Sequence, residues 1–64
     1  MLEFAKKILL KVSFDQNLFR KELKKAIKSL QNKDALILYA WCLVTFGDAY
    51  KDAIIQIFRD ENLL

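Results

Sequence analysis

Sixty-four residues with one cysteine, no histidine and no proline exclude most ways of stabilising a small domain. A lone thiol permits no internal disulfide, and without histidine it cannot build a structural zinc site. An apolar fraction of 55% excludes intrinsic disorder, and a net charge of +3 is too modest to assign a polyanionic partner by itself. Folding at this size buries only about 60% of the surface that the unfolded chain exposes. The remaining remedies are regular helix packing and oligomerisation. With one glycine and no proline there are almost no turn residues for an all-β fold. Leu, Lys, Ala and Glu are strong helix formers. The expectation is an all-α chain forming one helical domain over 1–64.

The first predicted helix covers about 2–12. On a wheel of 100° per residue, Leu2, Phe4, Ala5, Ile8, Leu9 and Val12 share one side, and Glu3, Lys6, Lys7 and Lys11 the other. Leu10 falls among the polar residues. The three lysines interrupt the apolar stretch that a signal peptide requires, and no small-residue cleavage site follows. A soluble, cytoplasmic protein is therefore expected.

Ser13-Phe14-Asp15 breaks the pattern. Asp15 is the natural N-cap of the next helix, about 15–30, because its carboxylate can accept the free amides of the first turn. In that register Phe14 and Phe19 sit where a hydrophobic staple forms. Ser13 with Gln16 would make the competing capping box, and the staple is preferred because it houses both aromatics. Phe19, Leu23, Ala26, Ile27 and Leu30 form a narrow apolar stripe. Leu18 lies off it. Gln31-Asn32-Lys33 reads as a turn, with Asp34 as the next cap.

Residues 35–46 read ALILYAWCLVTF, without one charge. A helix with no polar stripe must be surrounded by protein. It is too short to span a bilayer, which takes about 20 residues. Gly47 follows, where a helix C-terminus favours glycine, and Asp48 can cap a fourth helix over about 48–60. There Tyr50, Ala53, Ile54, Ile57 and Phe58 share a face, and Ile55 points away. The expected architecture is a bundle of four short helices, about 2–12, 15–30, 34–46 and 48–60. It has three if the last two are one bent helix, since a helical glycine costs only about 1 kcal/mol against alanine. Residues 61–64 read as a frayed tail.

Charge is divided unevenly. Residues 1–33 hold nine Lys/Arg against three Asp/Glu, net +6, and residues 34–64 hold two against five, net −3. Arg20, Lys21, Lys24, Lys25 and Lys28 gather on one helical arc, the candidate basic patch. Such an arc can neutralise phosphates, although four of the five are lysine and planar, bidentate recognition favours arginine. Its ordinary reading is a solvated face.

No catalytic constellation is present. Cys42 has no histidine to activate it, and apolar surroundings raise a thiol's pKa. Asp48 and Asp52 share a helix face but suit a cap and a solvated position better than an acid/base pair. No glycine-rich phosphate loop or calcium loop occurs. Tyr39, Trp41, Phe46 and Cys42 read as core more readily than as a ligand pocket. No enzyme activity, cofactor or metal is expected.

The apolar excess is the remaining signal. Leu10, Leu18 and Ile55 off their stripes, with Tyr39 and Trp41 carrying polar atoms that want partners, form the candidate interface. The expected function is protein–protein contact, as a homodimer or an adaptor. Leu10→Lys and Ile55→Lys are the substitutions expected to dissociate it. A nucleic-acid-associated role for the basic arc is the alternative.

Overall fold

Asp15 does what its position requires. Its carboxylate accepts hydrogen bonds from the amides of Asn17 at 2.9 Å and Leu18 at 3.2 Å. In the computed structural model, which describes all of residues 1–64, that cap separates α1 (Leu2–Val12) from α2 (Gln16–Ser29). The staple does not form: Phe14 is 81% exposed while Phe19 is fully buried. Ser13 turns back on α1 instead, donating its hydroxyl to the Leu10 carbonyl at 3.1 Å. Phe19 has better partners than Phe14, described below.

Leu30 and Gln31 both take extended conformations, and these two residues suffice to reverse the chain. The next helix, α3 (Asn32–Asp60), therefore starts earlier than expected, with Gln31 rather than Asp34 at its N-cap. Asp34 lies in the first turn, where its charge favours the helix dipole.

The chain has three helices, not four, and the third is bent. Gly47 does not end a helix; its φ is not positive and the helix continues through it. The break comes at Tyr50, whose φ of −126° and ψ of 20° leave the helical range. A straight helix of 29 residues would be about 43 Å long. The molecule's longest dimension is 26 Å, so α3 turns sharply there into two arms.

The bend has a tertiary cause. The Tyr50 ring stacks on Phe19, with centroids 4.6 Å apart and planes 24° apart. Its hydroxyl donates to the Ser13 carbonyl in the α1–α2 turn at 2.5 Å. Phe46, on the other arm, meets Phe19 edge-on at 5.0 Å. One residue of α2 thus holds both the end of the first arm and the bend itself.

The core is Ala5 and Leu9 from α1, Phe19, Leu23 and Ile27 from α2, and residues from both arms of α3. The first arm contributes Leu38, Cys42 and Phe46, and the second Ile54, Ile57 and Phe58. On an ideal wheel these two buried faces are rotated by roughly a quarter turn, which the bend at Tyr50 accommodates. Phe4 is the exception on α1's apolar side, at 61% exposed. No polar or charged side chain is buried.

The C-terminus is not frayed. Asn62 adopts a left-handed φ of 64°. The amide of Leu63 then reaches the Phe58 carbonyl, and that of Asn62 the Arg59 carbonyl, both at 3.0 Å. This is a Schellman closure with asparagine in place of glycine. Leu63 packs on the core as its hydrophobic contact.

Two substitutions test this account in dilute solution. Gly47→Ala should raise unfolding stability by about 0.5–1 kcal/mol, because the site is helical and a Cβ there meets nothing within 4 Å. Loss of stability in urea titration would show that Gly47 is needed for the bend. Tyr50→Phe keeps the stack but removes the bond to Ser13, and should cost about 1 kcal/mol.

Candidate protein-interaction surface

The chemical groups available for a site are few. Cys42 is the only cysteine and is fully buried between apolar neighbours of the core. Burial pushes its thiol from 9.0 up to about 12. A thiol held neutral in this way is a poor nucleophile. No group of three or more His, Cys, Asp or Glu side chains stands close enough to hold a metal ion. No cavity opens beside Tyr39 or Cys42.

The concavity with the most apolar lining is a groove of about 210 Å³ between α1 and α2. Met1, Phe4, Ile8, Ala26 and Leu30 line it together with Glu22 and Lys25. It is smaller than the roughly 300 Å³ at which small-molecule pockets usually begin. A second, polar hollow lies at the bend, where Arg20 of α2 faces Gly47, Asp48 and Asp52 of α3.

The basic arc is exposed along α2 at Lys21, Lys24, Lys25 and Lys28, with Arg20 half-buried. Lys25 pairs with Glu22 at 3.8 Å. An exposed pair of this kind contributes little. The arc therefore remains a row of solvated cations with one loose partner.

The candidate interface residues fall on three helices. Leu10 of α1 is 53% exposed and Leu18 of α2 is 38% exposed. Tyr39 is half-buried and meets Phe58 edge-on at 4.9 Å. Trp41 is half-buried too, edge-on to Phe46 at 5.4 Å. The Lys6 ammonium lies 5.6 Å from the Trp41 ring centre, within cation–π range. Ile55 is half-buried beside Asp52 and Gln56.

Val44, the most exposed of the large apolar side chains, lies elsewhere. The first arm of α3 buries Ala35, Leu38, Cys42 and Phe46 on one side. On the opposite side Leu36 and Ile37 are each 46% exposed and Val44 is 88% exposed, with Ala40 between them. The uncharged run is thus covered on one face only. A wheel drawn on residues 35–46 separates these two faces. What the residues do not indicate is which of two apolar faces turns inward. No helix of the chain is long and apolar enough to cross a membrane.

The buried thiol makes a pH prediction. The native thiol stays protonated between pH 9 and about 12, where the unfolded one ionises. The native state then holds the extra proton, so stability should fall as pH rises above 9, by up to about 1.4 kcal/mol per unit. Unfolding titrations should show a steeper decline than in Cys42→Ala; equal slopes would refute the buried environment.

No protein-family model, curated protein or solved structure matches this chain.

Proposed function

We propose that this chain works through protein–protein contact, with a second copy of itself as its first partner, and that it performs no catalysis. The observation that carries this reading is the uncovered apolar side of α3's first arm. Val44 leaves 88% of its surface in water, and Leu36 and Ile37 nearly half of theirs. Apolar residues aligned on one helix face make a contiguous patch, unlike single surface leucines, and such patches mark interaction sites. A chain this short also gains stability by association that its own core cannot supply.

The groups that catalysis needs are poorly placed. The one thiol is buried and neutral, and no side chain beside it can act as its base. Proton transfer between paired groups requires a sheltered cleft, and Asp48 and Asp52, four residues apart on α3, line an open hollow.

Sedimentation equilibrium from about 1 to 100 µM tests the reading, since micromolar dissociation suits a modest interface. A monomer–dimer equilibrium is expected, with Val44→Lys weakening it at least about tenfold, roughly 1.4 kcal/mol. Leu10→Lys and Ile55→Lys, which lie off this face, report whether the contact extends beyond it. A strict monomer throughout the range would sink self-association. Salt-dependent retardation of oligonucleotides would instead assign the role to the arc of Arg20, Lys21, Lys24, Lys25 and Lys28.

A further inference from the structure

The exposed side of α3's first arm has a register as well as an apolar character. Lys33, Ile37, Ala40, Val44 and Gly47 follow one another at alternating spacings of four and three residues. That is the seam of a two-helix coiled coil. The seam's own charges stand at its ends, Lys33 in the first turn and Asp48 just before the bend; Asp34, next to Lys33, is half-buried and lies about 100° round the helix from it, off the seam. Lys33 and Asp48 are both exposed, and neither takes part in the chain's two ion pairs, Lys6–Glu3 and Lys25–Glu22.

We propose that this seam packs antiparallel against the same seam of a second copy, with the two-fold axis beside Ala40 and Trp41. The inference rests on the self-association proposed above and adds its geometry. Three observations converge on it. Lys33 and Asp48 lie equally far along the helix from the Ala40–Trp41 peptide. Antiparallel pairing therefore sets each Lys33 against Asp48 of the partner subunit, at both ends of the contact. Parallel pairing sets lysine against lysine and aspartate against aspartate, which electrostatic complementarity disfavours.

Gly47 is the second observation. Glycine weakens a helix, yet nothing in its own chain lies within 4 Å of where a Cβ would stand, and its φ is not positive. With Ala40 seven residues earlier, it leaves the seam small at two successive turns of the heptad. Small residues allow two helix axes to come close together. In the antiparallel register the gap at Gly47 receives the aliphatic stem of Lys33 of the partner subunit.

The third is extent. Residues 32–49 form an arm about 25 Å long between its end Cα atoms. The bend at Tyr50 ends it immediately beyond Asp48, so the complementary charges close the straight part of the seam. A standard interface takes about 800 Å² from each partner, near a fifth of this chain's 4320 Å². A contact of that size includes the flanking Leu36, Leu43 and the outer edge of Trp41.

Disulfide trapping under mild oxidation distinguishes the arrangements. The wild-type chain, with Cys42 buried, is the uncrosslinked control. Ala40→Cys, at the axis, should give a covalent dimer. Antiparallel pairing brings Ile37 opposite Val44 of the partner subunit, while the two copies of residue 37 stand about 10 Å apart along the axis, beyond disulfide reach. An equimolar mixture of Ile37→Cys and Val44→Cys chains, reduced and then oxidised, should give almost entirely mixed disulfide by mass spectrometry. Indiscriminate pairing would give half. Homodisulfides of Ile37→Cys in excess would overturn the antiparallel register while leaving self-association intact. A dimer in sedimentation that none of the three variants traps would remove the seam from the interface. A chain that sediments as a strict monomer defeats the underlying reading, and this one with it.

Discussion

The stack of Tyr50 on Phe19 is the contact on which the shape of this chain depends. Phe19 comes from α2, Phe46 from the end of the first arm of α3 and Tyr50 from the bend itself, and the Tyr50 hydroxyl reaches the turn between α1 and α2. Aromatic pairs of this geometry contribute about 0.5–1.5 kcal/mol beyond their buried area. Here they also set direction. Without them α3 would be one rod, longer than the whole molecule, and half of its apolar residues would have nothing to cover them. The bend returns Ile54, Ile57 and Phe58 to the core that Leu38, Cys42 and Phe46 begin.

Folding α3 back solves the problem of the core and leaves another at the surface. The first arm is apolar around most of its circumference, and a chain of this size covers one side of it. The core is closed with no buried charge and no unpartnered buried polar atom. The unsatisfied part of the structure is outside, where Val44 and its neighbours meet water. Burying that apolar area is the driving force on which the proposed association rests.

The parts of the fold that are legible in the sequence are those where polar and apolar residues alternate at helical spacing. The stripe of Phe19, Leu23 and Ile27 and the face of Ala53, Ile54, Ile57 and Phe58 are read from periodicity, and Asp15 from the chemistry of capping. The misreadings share a cause. Gly47-Asp48 carries a local stop signal, and Tyr50 carries none, yet the helix breaks at Tyr50. What decides is a stack and a hydrogen bond to residues more than thirty positions away, and tertiary contacts of that kind override local propensity. Phe14 loses its staple for the same reason, since Phe19 is committed to Tyr50 and Phe46. Asn62 was an available signal, being the residue after glycine that best tolerates a left-handed C′ position. Which side of residues 35–46 turns inward is not legible, because the stretch carries no charged residue and its one hydroxyl of low apolar character, Thr45, does not by itself orient the wheel.

In the proposed dimer, the two kinds of residue on the open face divide the work of recognition between them. The apolar members supply the drive to leave water, and they are indifferent to direction: Ile37, Ala40 and Val44 would be buried about equally well by a parallel or an antiparallel neighbour. Lys33 and Asp48 supply little affinity, since exposed ion pairs are weak and screened by salt, but they differ in sign between the two ends of the arm. Orientation is then set by the term that contributes least to binding. Added salt should accordingly loosen the choice of register before it loosens the dimer, because screening acts on the charges and leaves the apolar contact intact.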